Sequence, residues 1–413
     1  MSTEFYFPSR TSQRWLRVGL LAGDLDRFAT RLEAQGYARQ SAVSKLRLVR
    51  NLSRWLEHQG LGIEALDEPR IEAFLLTRGP RCVQRGDAVT TRQLLSHLRA
   101  VGRTPLAAPS PQNPDPFAPV EHRYERFLVN ERGVSRATVK NYLPIIRAFL
   151  SECFAARDVA LETITVRDVN QFITRQSRRL SRSSVKLFVT ALRSFLRHLH
   201  QRGDIPVDLA GALVPVVSWR LSGIPKSLAG EQVEAVIRSC DPRTSAGRRD
   251  RAIVLLLARL GLRAGEVAAM TLDDLDWDAG VVTVSGKGPR REPLPLPCEV
   301  SEALVAYLRD GRPQCPTRHV FVRVHAPHVG FAGPVAIINV VQRALARADI
   351  DPPFRGAHLL RHSLATAMLR HGASLEEIGQ ILRHASPDTT WIYAKVNLEA
   401  LRALAPAWPG GAS

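Results

Sequence analysis

The stretch Thr104 to Pro119, TPLAAPSPQNPDPFAP, constrains the fold of this chain more than any other feature. Its prolines fix φ and remove backbone donors, so neither a helix nor a central strand crosses it. The polypeptide on either side must therefore build its own core. A second, weaker break runs from Val207 to Leu228, where Pro215, Gly223 and Pro225 interrupt the pattern. The 413 residues divide into segments 20–103, 116–206 and 226–405, each of ordinary domain size.

The first two segments carry one apolar pattern twice. In the first, Gly36 precedes Leu46, Val49 and Leu52, then Leu66, Ile71 and Phe74. In the second, Gly133 precedes Leu143, Ile146 and Phe149, then Ile164, Val169 and Phe172. The offset is 97 residues in the earlier part and 98 in the later part. Spacings of three and four mark amphipathic helices, so both segments are expected to be small helical bundles related by duplication. The third segment changes period. Arg249 to Leu260 predicts a buried helix with Gly261 at its C-cap. Val281 to Val284 and Glu292 to Leu296 predict short strands around a turn at Gly286-Lys287-Gly288. From Gly356 the pattern is helical through Arg383, and Ser386-Pro387 offers an N-cap followed by proline at the first helical position. The expected fold is mostly α: two small helical domains, then a mixed α+β domain with a small antiparallel sheet.

Composition narrows the partner. Hydrophobic residues at 45% and charged residues at 23% are the balance of an ordinary soluble protein. Fifty-seven Lys and Arg against 39 Asp and Glu give a net charge of +18, which favours a polyanion. Charge alone does not separate DNA from RNA. Cys82, Cys153, Cys240, Cys298 and Cys315 are scattered, odd in number and without a C-x-x-C pair. That pattern argues against a disulfide framework and a zinc site and fits a reducing cytoplasm. The apolar run Val18 to Ala22 is far too short to span a bilayer, so no membrane association is expected.

Five short segments of the third region carry chemistry. They are Gly261-Leu262-Arg263-Ala264-Gly265-Glu266, Gly286-Lys287-Gly288, His358-Leu359-Leu360-Arg361-His362, Leu382-Arg383-His384 and Ile392-Tyr393-Ala394. Arg263 and Arg361 can each donate two parallel hydrogen bonds to phosphate oxygens, clamping them as charge builds up. Lys287, in a glycine-flanked turn, can protonate a leaving oxygen if neighbouring cations lower its pKa. His358 and His384 can hydrogen-bond a phosphate or accept a proton. Tyr393 offers an oxygen nucleophile, though a phenol near pKa 10 needs help to lose its proton. Glu266 reads as a support for Arg263 or for a helix end. His200, His362 and His371 read as structural. Asp273, Asp274, Asp276 and Asp278 read as a solvated turn, and no metal or other cofactor is expected.

The order and spacing of these segments resemble the tyrosine recombinase (phage integrase) family. The resemblance covers the third segment fully and the second well; the first, an additional copy, is only suggestive. It implies helical core-binding domains before a catalytic domain. It also implies a site-specific DNA recombinase that cleaves and rejoins DNA through a 3′-phosphotyrosyl intermediate, for a mobile element or replicon. The implied catalytic set is Arg263, Lys287, His358, Arg361, His384 and Tyr393, with Lys287 as general acid, His358 as base and His384 bonding the phosphate. Nearby Arg290 and Arg291 are the alternatives for the acid. Arg383 stands where many relatives have glycine. The implied partners are double-stranded DNA, a tetramer of the chain on two DNA sites, and, in some settings, partner recombinases or accessory proteins. Val396 to Ala405 could pack on a neighbouring protomer. The first copy is expected to contact DNA through Arg39, Lys45, Arg47, Arg50 and Arg54. Competing readings are a type IB topoisomerase-like relaxing activity and a non-catalytic DNA-binding or directionality protein.

Overall fold

The fold comes from a computed structural model that describes residues 6–7, 9–79, 86–105, 115–154, 159–216, 226–286, 291–384 and 386–396. The chain forms two compact units, one of residues 108–222 and the other combining 1–107 with 223–413.

In the combined unit the N-terminal part is a bundle of α1 (Arg10–Leu16), α2 (Leu25–Ala34), α3 (Arg39–His58), α4 (Glu68–Thr77) and α5 (Asp87–Ala100). The separate unit contains α6 (Ala118–Arg126), prolonged by a π-helical turn Phe127–Glu131, then α7 (Arg136–Phe154), α8 (Val166–Ser177) and α9 (Arg182–Arg202). The repeated pattern has a structural counterpart. Gly36 and Gly133 both take positive φ, and α3 and α7 begin three residues after them. A single 3₁₀ turn follows each, Ile63–Ala65 and Leu161–Thr163. Asp67 then caps α4 by accepting from Arg70 N at 2.9 Å, and Thr165 caps α8 by accepting from Asp168 N at 3.3 Å. Of the apolar positions at this offset, Leu46, Val49, Phe74, Ile146, Phe149 and Phe172 are buried in their respective cores, and Leu143 is partly buried against the second.

The basic run on α3 is less available than its sequence suggests. Arg50 is buried, donates from Nε to the Trp15 carbonyl at 2.7 Å and stacks on the Trp15 ring. Lys45 donates to Thr90 Oγ1 at 2.7 Å. Two of the five cations thus hold the bundle together, while Arg39, Arg47 and Arg54 are exposed.

The C-terminal part contains α10 (Gly230–Arg238), α11 (Ser245–Arg259), α12 (Ala264–Ala269), α13 (Cys298–Asp310), α14 (Pro334–Arg347), α15 (His358–Arg370) and α16 (Leu375–Ile381). Helix α11 runs through the core, with Ala252 to Leu257 all buried. The sheet is antiparallel in the order β1 (Leu275–Asp276), β2 (Val281–Ser285), β3 (Arg291–Pro295). Val282 faces Leu294 in the register, and the edge strand β3 accommodates Pro293 and Pro295. Lys287 and Gly288 of the expected turn lie outside the described residues, as do 397–405 of the expected protomer contact. Two readings need correction. The helical run after Gly356 breaks at Gly372, φ +88, and restarts where Ser374 caps α16. Ser386 and Pro387 do take the N-cap and first positions, but of a single 3₁₀ turn, Pro387–Thr389, followed by a second, Trp391–Val396, and Ser386 makes no side-chain cap.

Gly261 ends α11 with φ +58, and a Cβ there would stand 2.6 Å from Leu382 Cδ2. A left-handed alanine costs about 1–2 kcal/mol, and forced repacking adds about 1–3 kcal/mol. Gly261→Ala should therefore lower stability by about 2 kcal/mol or more in urea denaturation. An unchanged midpoint would contradict this account of the turn.

Candidate active site

The turn at Gly261 places Arg263 just before α12, in extended backbone at φ −80, ψ 149. Glu266, three residues on, accepts from Arg263 N at 2.8 Å and from Arg263 Nη1 at 2.7 Å. The expected support role of Glu266 is thus met twice, at the helix end and at the guanidinium. The remaining Arg263 terminal nitrogen, Nη2, donates to the Arg383 carbonyl at 3.4 Å.

Arg361 and His358 share one face of α15, three residues apart. Arg361 is only 3% exposed and donates from Nη1 to the Gly261 carbonyl and from Nη2 to the Leu382 carbonyl. Burial, with Arg263 nearby, pushes its pKa down to about 10, so it remains a cation at neutral pH. His358 lines an open cleft of about 1590 Å³, together with Arg263, Glu266, Ser285, Arg383, His384 and Trp391. Burial first, then Arg361 and Arg263, hold the His358 pKa below its usual value. His384 shares a hydrogen bond from Nδ1 to Thr390 Oγ1 at 2.7 Å, which leaves Nε2 as the ring nitrogen not used in that bond. Burial and the surrounding arginines bring its pKa to about 4.

Tyr393 is 1% exposed and does not line the cleft; its ring lies parallel to His384 at 6.5 Å between centroids. Its hydroxyl is 2.7 Å from Nδ1 of His362. Burial drives the tyrosine pKa up to about 12, against the opposing pull of Arg361. His362, set aside as structural on sequence, is therefore the histidine bonded to the phenol. Its signal was present: it follows His358 by four residues, one turn along the same helical face. Burial, His358 and Arg361 bring its pKa to about 4, so it is neutral and can accept a proton at Nδ1. His371 and His200 bond local carbonyls, those of Ala367 and Ile205.

Lys287 lies outside the described residues, in the connection between Ser285 at the end of β2 and Arg291 at the start of β3; Arg290 lies there too. Arg291 is paired with Asp274 at 2.6 Å. Of the aspartates around the start of the sheet, Asp274 and Asp276 bond local backbone. Asp273 pairs with Arg318, Asp274 also accepts from Thr271 N, and Asp276 accepts from Ala279 N.

Three neutral histidines of the site make a pH prediction. His358, His362 and His384 have folded pKa values below the unfolded value of about 6.5. The unfolded chain binds more protons below that point, so stability falls as pH drops from about 6.5 towards about 4. In urea titrations, His362→Gln should show a shallower loss between pH 7 and pH 5 than the unsubstituted chain. Identical slopes would mean that His362 is not buried in its neutral form.

The model of the phage integrase family matches residues 226–399, and that of the phage integrase N-terminal SAM-like domain matches 122–203. The chain is 42% identical over 385 residues to the putative integrase/recombinase y4rA of Sinorhizobium fredii (strain NBRC 101917 / NGR234), covering 93% of this chain and 94% of that protein. It is 31% identical over 279 residues to tyrosine recombinase XerD of Listeria monocytogenes serotype 4b (strain F2365), covering 65% of this chain and 91% of the relative. Among solved structures, the XerH site-specific recombinase in its post-cleavage complex with palindromic difH matches with a TM-score of 0.55 at 18% identity, over 76% of this chain and 94% of that one. A lambda integrase dimer bound to a COC′ core site matches with a TM-score of 0.53 at 18% identity, over 68% and 95%. These structural likenesses extend to the mostly helical fold with its small antiparallel sheet. With sequence similarity running nearly end to end, this chain belongs to the phage integrase family of tyrosine recombinases.

Proposed function

We propose that this protein is a site-specific DNA recombinase that cuts and rejoins double-stranded DNA through a tyrosine–phosphate bond. The observation that carries the reading is a cleft walled by Arg263, His358 and His384 with the Tyr393 hydroxyl, already bonded to a neutral histidine, directly behind His384. A phosphodiester in that cleft would meet fixed cations, with the oxygen nucleophile held beneath the wall. The chain's net charge of +18 suits the polyanionic partner.

The chemistry follows in two displacements. Tyr393 Oη attacks phosphorus, its proton passes to a histidine, and the bond from phosphorus to the 5′-oxygen breaks. The 5′-oxygen takes a proton from Lys287, and the 3′-phosphate stays on the tyrosine. The 5′-hydroxyl of a partner strand then attacks the phosphotyrosine and releases Tyr393. We assign the proton acceptor to His362, because it is the histidine bonded to the phenol; His358, on the cleft wall, then faces the phosphate. Arg263 and His384 hold non-bridging oxygens, and Arg361 acts from beneath as a fixed charge that favours both phenolate and phosphorane. At a pKa near 12, only about one tyrosine in 10⁵ is ionised at neutral pH, so proton removal must accompany attack. Because Tyr393 is buried and absent from the cleft wall, the turns from Pro387 to Val396 must shift to bring it to the phosphorus.

The helical segments 20–103 and 116–206 are assigned to gripping DNA ahead of a catalytic domain at 226–405. Assembly as four protomers on two sites is supported by a neighbour of the same fold, a lambda integrase tetramer bound to a Holliday junction, with a TM-score of 0.52. The cytoplasm, where DNA is accessible, is the assigned location; among the described residues no helix is long and apolar enough to cross a membrane.

Fragmented DNA from the organism that carries the gene, incubated with the protein and precipitated in dodecyl sulfate and potassium, tests this reading. Covalently trapped DNA should be recovered and should converge on one sequence. Tyr393→Phe should abolish trapping while leaving DNA binding unchanged. On the recovered site, His362→Gln should slow adduct formation about 10²–10⁴-fold, the usual share of a positioned acid or base. If His362→Gln reacts at the normal rate, the proton leaves by another route.

For Lys287 the decisive comparison is a substrate with sulfur at the 5′-bridging position, whose thiolate leaves without a proton. Loss of Lys287 should cost about 10²–10⁴-fold on oxygen and little on sulfur. Equal losses on both would move the acid role to another group.

A further inference from the structure

Arg383 is held in a conformation that its residue type disfavours. Its φ is +52, in the left-handed region where a side chain is strained. Such a conformation persists when the surroundings dictate it, and it clusters at sites where the strain serves a purpose. Its amide still donates to the Gln380 carbonyl at 2.9 Å, closing the end of α16. The turn sends the side chain inward, where it is only 6% exposed.

The buried guanidinium is incompletely satisfied. Nη2 donates to Glu266 Oε2 at 2.7 Å, the carboxylate that also fixes Arg263. Nε lies 3.9 Å from Glu292 Oε2, close enough for attraction but too far for a hydrogen bond. Nε and Nη1 have no hydrogen-bond partner among the described residues, although both are shielded from solvent. A buried cationic donor left in this state is costly, and native structures rarely leave one without a partner. Arg383 lines the same cleft as Arg263, His358 and His384. Its carbonyl accepts from Arg263 Nη2, so the two arginines and Glu266 form a closed ring that fixes both guanidinia at one wall. The described lining of the cleft also holds Asp274, Glu292 and Glu376, of which Asp274 is already paired with Arg291, and the buried Arg361 lies close to both arginines.

We propose that Arg383 is a third phosphate-binding arginine of this site, its unpartnered donors awaiting an oxygen of the scissile phosphodiester. The proposal rests on the cleft being the strand-cleavage site. A planar, braced guanidinium with unpartnered donors is suited to an anion of that geometry. Arg263 and Arg383, braced by one carboxylate, then approach the phosphate from one side, with Arg361 behind them.

The test uses the full chain and the DNA site recovered by covalent trapping. Arg383→Gly removes the side chain and relaxes the positive φ, and a thermal melt checks that the fold is kept. Adduct formation by R383G should slow about 10²–10³-fold, the range for loss of one preorganised donor to a developing oxyanion. On a substrate whose scissile phosphate is a neutral methylphosphonate, the R383G defect should shrink at least about tenfold, because the charge it serves is gone. In an Arg263→Ala background, R383G should still slow the reaction, since direct contact does not need Arg263. A normal R383G rate, or equal defects on the two substrates, overturns the proposal. A defect that vanishes in the Arg263→Ala background also overturns it, and leaves Arg383 acting only by positioning Arg263. Should R383G fail to fold, Arg383→Lys and Arg383→Gln carry the same comparison: both lose the fork, and only the lysine keeps charge on the phosphate. If the unsubstituted chain traps no DNA, the cleavage reading itself fails, and this proposal with it.

Discussion

One buried cation organises the candidate site. Arg361 lies on α15, yet its two terminal nitrogens end on the carbonyls of Gly261 and Leu382, which come from two other parts of the chain. Each carbonyl belongs to a turn that launches site residues: Arg263 follows Gly261 by two positions, and Arg383 and His384 follow Leu382 directly. Both turns use positive φ, at Gly261 and at Arg383, so their carbonyls point inward where helix continuation would point them along the axis. Removing Arg361 would leave two buried acceptors unpaired and release both turns together. Charge-assisted hydrogen bonds to backbone are stronger than neutral ones, which makes a buried arginine an effective tie despite its desolvation cost.

The same cation shapes the chemistry around it. Arg361 helps depress the pKa values of His358, His362 and His384, and it opposes the burial that raises the pKa of Tyr393. The result is a cluster of neutral bases around a protonated phenol. Such a cluster can move a proton at neutral pH without first gaining one. Burial of Tyr393 keeps its hydroxyl away from water. On the proposed reading, the site is preorganised in its cations and bases but not in the position of the tyrosine.

Much of this could be read before any coordinates, and the parts that could not share a cause. Helix ends and strands signalled by local chemistry were recovered, as with Gly261 after α11 and the β2–β3 pair with its alternating burial. The duplicated helical pattern was readable because core positions repeat at a fixed offset. The break at Gly372 was hidden, since apolar spacing continues across it into α16. For His362 only its place one turn after His358 was legible; its bond to Tyr393, 31 residues away in sequence, leaves no local trace. The α3 cations mislead for the same reason: Trp15 and Thr90, which hold Arg50 and Lys45, lie on other helices. For Arg383, sequence flags an unusual residue at a turn, whereas only the packed structure reveals a guanidinium with open donors.

The central claim is that Tyr393 is the atom source of the DNA–protein bond. Nuclease digestion of the trapped complex, followed by tandem mass spectrometry of the remaining nucleotide-bearing peptide, locates that bond directly. The account predicts a single modified peptide with the phosphodiester on Tyr393 and the nucleotide attached through its 3′-oxygen. A nucleotide attached through its 5′-oxygen, or one carried by any other residue, would contradict it.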